Sequence, residues 1–452
     1  METLTEYAER MWRGEATMRG LFADGAPMGV AAPVADGVAV VPGFANVIAF
    51  QTADGLVLVD TGLQQTAQAM FGAVRAWSAD PVRYAVFTHG HVDHVFGMAL
   101  YDQEAAAKGW PRPVVVAHEA VPARFERYVR TAGYNAVINR RQFGLDELEW
   151  PVDYRYPDRV YRDRDSFSCG GLTFELRHAL GETDDHTWVF VPERRVLCPG
   201  DLFVWVSPNA GNPQKVQRYP AEWAAALREM AAAQAELLLP SHGPPIIGAE
   251  RVREALTCTA AYLESLVEQT LALMNTGARL DEIIHAVRPP ADLAARPYLQ
   301  PVYDEPEFIV RNVWRLYGGW YDGNPAHLKP APDAVLAAAL AELAGGAAAL
   351  ADRAQAAAAA GDLRLAGDLA ELAALAAPDD AARTWCTARS SEAASAASSA
   401  RSPASRRSPA AAAACARSAR AAAPPASSAS AVASTASGAG LRWAGLPSYQ
   451  PP

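Results

Sequence analysis

The chain has 452 residues, half of them hydrophobic, and a formal net charge of −10 at pH 7. That length suggests about three structural units, and the acidic balance excludes nucleic acid as the default partner, because phosphate binding needs clustered Lys and Arg. The five cysteines (169, 198, 258, 386 and 415) never form a C-x-x-C pair, which fits a reducing compartment and predicts no disulfide.

In chain order, the polar start Met1-Glu-Thr-Leu-Thr-Glu lacks the basic and apolar regions of a secretory signal. No segment offers the roughly 18 uncharged apolar residues of a membrane span. The expectation is a cytoplasmic protein with no membrane association. Residues 5–13 read as a short helix. Residues 38–41, 46–51 and 56–60 read as a strand meander, separated by the turn dipeptides Pro42-Gly43 and Asp54-Gly55. Its last strand ends in Leu58-Val59-Asp60-Thr61-Gly62, which delivers a carboxylate to a strand tip. Ala67, Met70, Phe71 and Val74 recur at helical spacing and predict a helix over 65–78. The apolar run 82–87 is a buried strand, followed after a polar loop by a helix over 98–108, a strand over 113–117 and a helix over 121–132. Strands over 172–177, 187–191 and 195–198 follow, the last ending in Pro199-Gly200-Asp201. Leu237-Leu-Leu-Pro240 then leads into Ser241-His242-Gly243.

The polar loop after residue 87 reads T-H-G-H-V-D-H over 88–94. In an extended segment His89 and His91 point the same way, whereas Asp93 and His94 lie past the turn and face a second point. Three imidazoles and a carboxylate within six residues form a ligand set suited to zinc. The tips at Asp60, at 178–186 (which holds His178, Glu182 and His186), at Asp201 and at His242 repeat the pattern. His118 reads as a capping or core histidine, and His178 and His186 are alternative ligands to Glu182.

Taken together, the V-D-T-G turn at Asp60, T-H-G-H-V-D-H, the Gly181-Glu182-Thr183 loop, Gly200-Asp201 and Ser241-His242-Gly243 resemble the metallo-β-lactamase superfamily over about residues 36–250. The resemblance implies an α/β fold, a four-layer αββα sandwich with two metals along one edge. The third element usually carries a His after the Gly. Glu182 in its place is similar to the class III alkylsulfatases. Residues 312–329, N-V-W-R-L-Y-G-G-W-Y-D-G-N-P-A-H-L-K, also resemble the G-W-F-D-G-N-P segment of the alkylsulfatase dimerisation domain. Helical stripes at Leu263, Val267, Leu271 and Met274, and at Leu280, Ile283, Ile284 and Val287, agree with an all-α module, as do Ala-rich helices over 333–377. The expected domains are a catalytic one over 1–250, a helical dimerisation domain over 251–385 and a tail over 386–452. That tail of Ala, Ser, Pro and Arg has no apolar period and is expected to be disordered.

The resemblance further implies that His89, His91 and Glu182 hold one zinc and Asp93, His94 and His242 the other, with Asp201 bridging and Asp93 and Asp201 serving catalysis. Asp60 would orient the loop or a ligand imidazole. Metal-bound water, its pKa lowered from 15.7 to about 7, would supply hydroxide to hydrolyse an alkyl sulfate ester in a homodimeric enzyme. Alkylsulfatases grip the sulfate with an Arg after the bridging carboxylate. No Arg aligns there, and Lys215 and Arg218 are the substitutes. The alternatives are a carboxylic-ester, lactone or thioester hydrolase of the glyoxalase II type, an iron-dependent sulfur dioxygenase and a non-catalytic dimeric binding protein.

Overall fold

The computed structural model describes residues 2–23 and 29–378, so the expectations for the tail, Cys386 and Cys415 lie outside the described residues. Two short helices, α1 (Leu4–Trp12) and α2 (Met18–Ala23), precede the first sheet. A capping box, in which Thr3 and Glu6 satisfy each other's backbone N–H, starts α1.

The first sheet contains β1 (Ala32–Ala35), β2 (Val38–Val41), β3 (Val47–Thr52), β4 (Gly55–Val59), β5 (Val82–Val86), β6 (Val114–His118) and β7 (Arg159–Tyr161) in that spatial order. Its first four strands form an antiparallel meander, and the pairs from β4 to β7 are parallel. The switch to parallel pairing needs crossover helices. These are α3 (Ala67–Trp77), α4 (Val92–Val95), α5 (Met98–Lys108), α6 (Val121–Arg130) and α7 (Ala132–Phe143). The second sheet contains β8 (Arg164–Cys169), β9 (Leu172–Ala179), β10 (His186–Val191), β11 (Val196–Cys198), β12 (Leu237–Leu238) and β13 (Ile246–Ile247). Between β11 and β12 lies α8 (Pro220–Ala232), with Pro at its first position.

Burial on both faces explains why the central strands are apolar without alternation. On β3, Val47 and Ala49 join Met70, Val74, Met98 and Phe125 of the outer helices. Ile48 and Phe50 point the other way, to Phe174, Leu176 and Val189 of the second sheet. The far face of the second sheet is covered by α8 and by α9 (Ala249–Asn275), through Trp223, Leu227, Leu256 and Leu263. The layers are therefore helix, sheet, sheet, helix. Helix α9 belongs to this core and also leads into the remaining helices, α10 (Leu280–Ala286), α11 (Ala291–Ala294), α12 (Pro306–Gly318), α13 (Asp333–Ala344), α14 (Ala347–Ala359) and α15 (Leu363–Ala376). Among the described residues no single helix is long and apolar enough to cross a membrane. Cys169, Cys198 and Cys258 are free thiols.

Three of the departures from the sequence reading lie between residues 131 and 169. The helix expected to end at 132 gives way at Thr131 to a second one, α7, whose buried side chains include Asn135, Asn139 and Gln142. Strands β7, only three residues long, and β8, which opens on the consecutive polar residues Arg164, Asp165 and Ser166, were not expected.

Phe174 is fully buried between the sheets, edge-on to Phe50 at 5.3 Å and stacked on Phe167 at 5.1 Å. Phe174→Ala should therefore lower stability by about 3–5 kcal/mol. The expected result is a lower urea midpoint at an unchanged slope; an unaltered midpoint would mean that the sheets do not meet there.

Candidate metal centre

The centre is built where strand ends of both sheets converge. β4 ends at Asp60, whose φ of 59° places a residue with a side chain in the left-handed region. Its carboxylate is fully buried. Oδ1 accepts the Thr88 backbone N–H at 2.8 Å, and Oδ2 accepts the hydroxyls of Thr88 at 2.8 Å and Ser241 at 3.0 Å and lies 2.7 Å from His94 Nδ1.

These bonds determine imidazole tautomers. Because Asp60 accepts from His94, the ring proton sits on Nδ1, and Nε2 is left to take a proton or a metal ion. Thr88 gives its one hydroxyl proton to Asp60, so at 3.0 Å from His89 Nδ1 it must accept, and His89 Nε2 is likewise free. His242 donates from Nδ1 to the Phe44 carbonyl at 2.5 Å. All three rings thus turn Nε2 inward.

What they face is acidic. His89, His91, Glu182 and Asp201 offer ligand atoms within 4.8 Å of one another, and so do Asp93, His94 and His242. In the first group His89 Nε2 and His91 Nδ1 are 2.7 Å apart, and Glu182 Oε2 lies 3.8 and 3.7 Å from them. In the second, Asp93 Oδ2 lies 3.5 Å from both His94 Nε2 and His242 Nε2. Asp201 Oδ2 stands between the groups, 3.8 Å from His89 Nε2, 3.6 Å from His94 Nε2 and 3.2 Å from His242 Nε2.

A cation fits this donor set. His94 Nε2, Glu182 Oε2 and Asp201 Oδ1 are buried without a hydrogen-bond partner, a situation rare for polar atoms unless something else satisfies them. Burial, reinforced by the Asp201 charge and opposed by Arg218, pushes the Glu182 carboxyl up to about 8. Burial lowers His94, but Asp201, Asp93 and Asp60 outweigh it and raise the ring well above its ordinary value. The pocket therefore draws positive charge to Nε2, as a proton or a metal ion.

Several supporting residues were not singled out from the sequence. Gly90, between two ligand histidines, donates its N–H to Asp185 Oδ2 at 3.0 Å, and Arg124 Nε holds the other oxygen of Asp185 at 2.9 Å. A Cβ at Gly90 would meet Arg124 Cδ at 2.9 Å. Asn209 donates to Glu182 Oε1.

Other sequence candidates are placed as follows. His186 stacks on His89 at 4.5 Å and accepts the Asp201 N–H at 3.2 Å, so it backs the ligands from outside both groups. His178 stacks on His118 at 3.7 Å, also outside both groups. Arg218 is buried, with Nη2 3.2 Å from Glu182 Oε1 and Nη1 on the Glu182 carbonyl. Lys215 Nζ donates to Asn139 Oδ1 at 3.0 Å, and burial, with Arg218 nearby, pulls its ammonium down to about 8.

Residues 40–242 match the metallo-beta-lactamase superfamily, and residues 279–418 match the alkyl sulfatase dimerisation family. A linear primary-alkylsulfatase of Pseudomonas sp. (strain ATCC 19151) is 28% identical over 70% of this chain and 62% of its own length. An alkyl/aryl-sulfatase of Saccharomyces cerevisiae is 26% identical over 59% of this chain and 45% of its own. The solved structure of a stereoselective inverting sec-alkylsulfatase from Pseudomonas sp. superimposes with a TM-score of 0.70 at 25% identity, over 79% of this chain and 61% of that one. The chain thus spans less than two thirds of the length of these relatives.

Asp60→Asn exchanges one acceptor oxygen for a donor amide facing His94, Thr88 and Ser241. Affinity for divalent ions, read by competition with a chelator, should fall about 10- to 100-fold. Wild-type affinity in this variant would show that Asp60 does not hold the ligand rings.

Proposed function

The chain belongs to the metallo-β-lactamase superfamily and carries an alkyl sulfatase dimerisation domain, and from this we propose that it is a zinc-dependent hydrolase of alkyl sulfate esters. The observation that carries the reading is the pair of ligand groups that meet at Asp201, with Glu182 as a carboxylate ligand of the first. Zinc ions held by His89, His91 and Glu182, and by Asp93, His94 and His242, with Asp201 shared, would activate a water near neutral pH and stabilise negative charge on the ester.

The chain's own residues do the rest. Asp93 and Asp201 both face His242, at 3.5 and 3.2 Å, and are the carboxylates placed to hold the proton shed by water. Arg218 and Asn209 fix Glu182 through its Oε1, so its Oε2 stays turned to His89 and His91. With Arg218 committed to Glu182, Lys215 is the cation left to meet the sulfate head. A homodimer through the helical module completes the proposal. Trp320 is 70% exposed and Leu343 85% exposed there, and such apolar surface fits a partner.

The first test pairs elemental metal analysis with sulfate release from a medium-chain alkyl sulfate, in the wild type and in Glu182→Ala. About two zinc ions per chain, with release of sulfate and loss of both in the variant, is the expected result. Zinc without sulfate would move the chemistry to carboxylic esters or thioesters, and bound iron would overturn the hydrolase reading. Lys215→Ala should raise KM for the sulfate ester by about 10- to 100-fold, the scale of one hydrogen bond to a charged group, with a smaller change in kcat. An unchanged KM would remove Lys215 from the sulfate site.

A further inference from the structure

The ligand Glu182 is gripped by one loop, residues 209–218, and that loop is anchored on the helical module. At one end Asn209 donates to Glu182 Oε1, and at the other Arg218 donates to the same oxygen and to the Glu182 carbonyl. Two residues after Asn209, the Gly211 N–H donates to Asp304 Oδ2 at 2.6 Å. The contact is close: a Cβ on Gly211 would lie 2.1 Å from the Phe308 carbonyl carbon and 2.2 Å from Ile309 N. At the far end Asn312, on α12, donates from Nδ2 to the Arg218 carbonyl at 3.0 Å, and its Oδ1 accepts Gln217 Nε2 at 2.7 Å. Both fixings come from the segment 304–312.

Asp304 has the features of a residue kept for position. It is 1% exposed, and its Oδ1 has no hydrogen-bond partner. A lone buried carboxylate is expensive, and a neutral or apolar side chain would pack there more cheaply. We propose that Asp304 and Asn312 are positioning residues for the metal centre. Through the 209–218 loop they hold Asn209 and Arg218 on Glu182 Oε1, and so aim Oε2 at the cation shared with His89 and His91. By this route the module that matches the dimerisation family sets the affinity of the first metal group more than that of the second, because the second-group rings are fixed from elsewhere, His94 by Asp60 and His242 by the Phe44 carbonyl. The inference rests on the metal reading of the centre, which direct ion binding by the wild type tests separately.

Full-length Asp304→Asn and Asn312→Ala would be titrated with Co2+ against a chelator, with Glu182→Ala and His242→Ala as references for loss at the first and second group. The expected outcome is a 10- to 100-fold weaker first ion, with the spectral pattern of Glu182→Ala and the second ion retained. Wild-type affinity at the first group overturns the proposal. Equal weakening of both groups overturns it as well, since that is general loosening of the fold. Asn312→Ala keeps a helix-favouring residue in α12, so it carries the test if Asp304→Asn does not fold. A wild-type chain that binds no Co2+ would overturn the metal reading itself, and this proposal with it.

Discussion

The centre depends on one buried carboxylate that belongs to neither ligand group. Asp60 gathers Thr88 and His94 from one segment and Ser241 from another around two oxygen atoms. In doing so it ties β4 to the loop after β5 and to the loop after β12. It sets the tautomer of His94 directly and that of His89 through Thr88. A carboxylate at this depth is tolerable because its oxygens are saturated with donors. Its left-handed backbone is held by the same contacts, consistent with strain being stored where a side chain must be aimed.

Electrostatics then separates two kinds of acid. Asp185 is neutralised by Arg124, and burial is outweighed there, so its carboxyl lies below the ordinary value. Glu182 shares one oxygen between Asn209 and Arg218 and leaves the other bare, and its carboxyl lies above the ordinary value. Folding brings Glu182, Asp201 and Asp93 together against their mutual repulsion, and divalent ions would offset that repulsion. The arrangement is therefore one in which metal affinity and the precise packing of the carboxylates are the same quantity.

Much of this was legible from sequence because every candidate ligand but Glu182 sits at or just past the end of an apolar run. His89, His91, Asp93 and His94 follow β5, Asp201 follows β11, and His242 follows β12, so local pattern alone places them at strand tips. Single strands were legible for the same reason, since those buried on both faces, such as β2 and β4, read as unbroken apolar runs, whereas the sandwich followed from the family resemblance. What was hidden has a consistent cause. Helix α7 turns Asn135, Asn139 and Gln142 inward, so its buried face has no apolar stripe to detect. The Arg124–Asp185 pair and the Asn209–Glu182 contact join residues far apart in sequence, and neither partner carries a local signal. Arg218 is the instructive case. Its charge suggested a substrate contact, whereas burial and a ligand carboxylate at 3.2 Å give it a structural partner.

The helical segment changes meaning in the same light. Helix α9 starts as a layer of the sandwich, packed through Leu256 and Leu263, and the chain it leads into returns to the centre at 304–312. A module joined only by a linker would leave the metal ligands indifferent to it. Here the backbone N–H of Gly211 and both polar backbone groups of Arg218 are bonded to it. Glycine at 211 is required by that closeness, because no side chain fits against the first turn of α12. The sandwich and its helical extension are therefore bonded together at the loop that aims Glu182, and α12 has a short covalent and hydrogen-bonded route to the first ligand group.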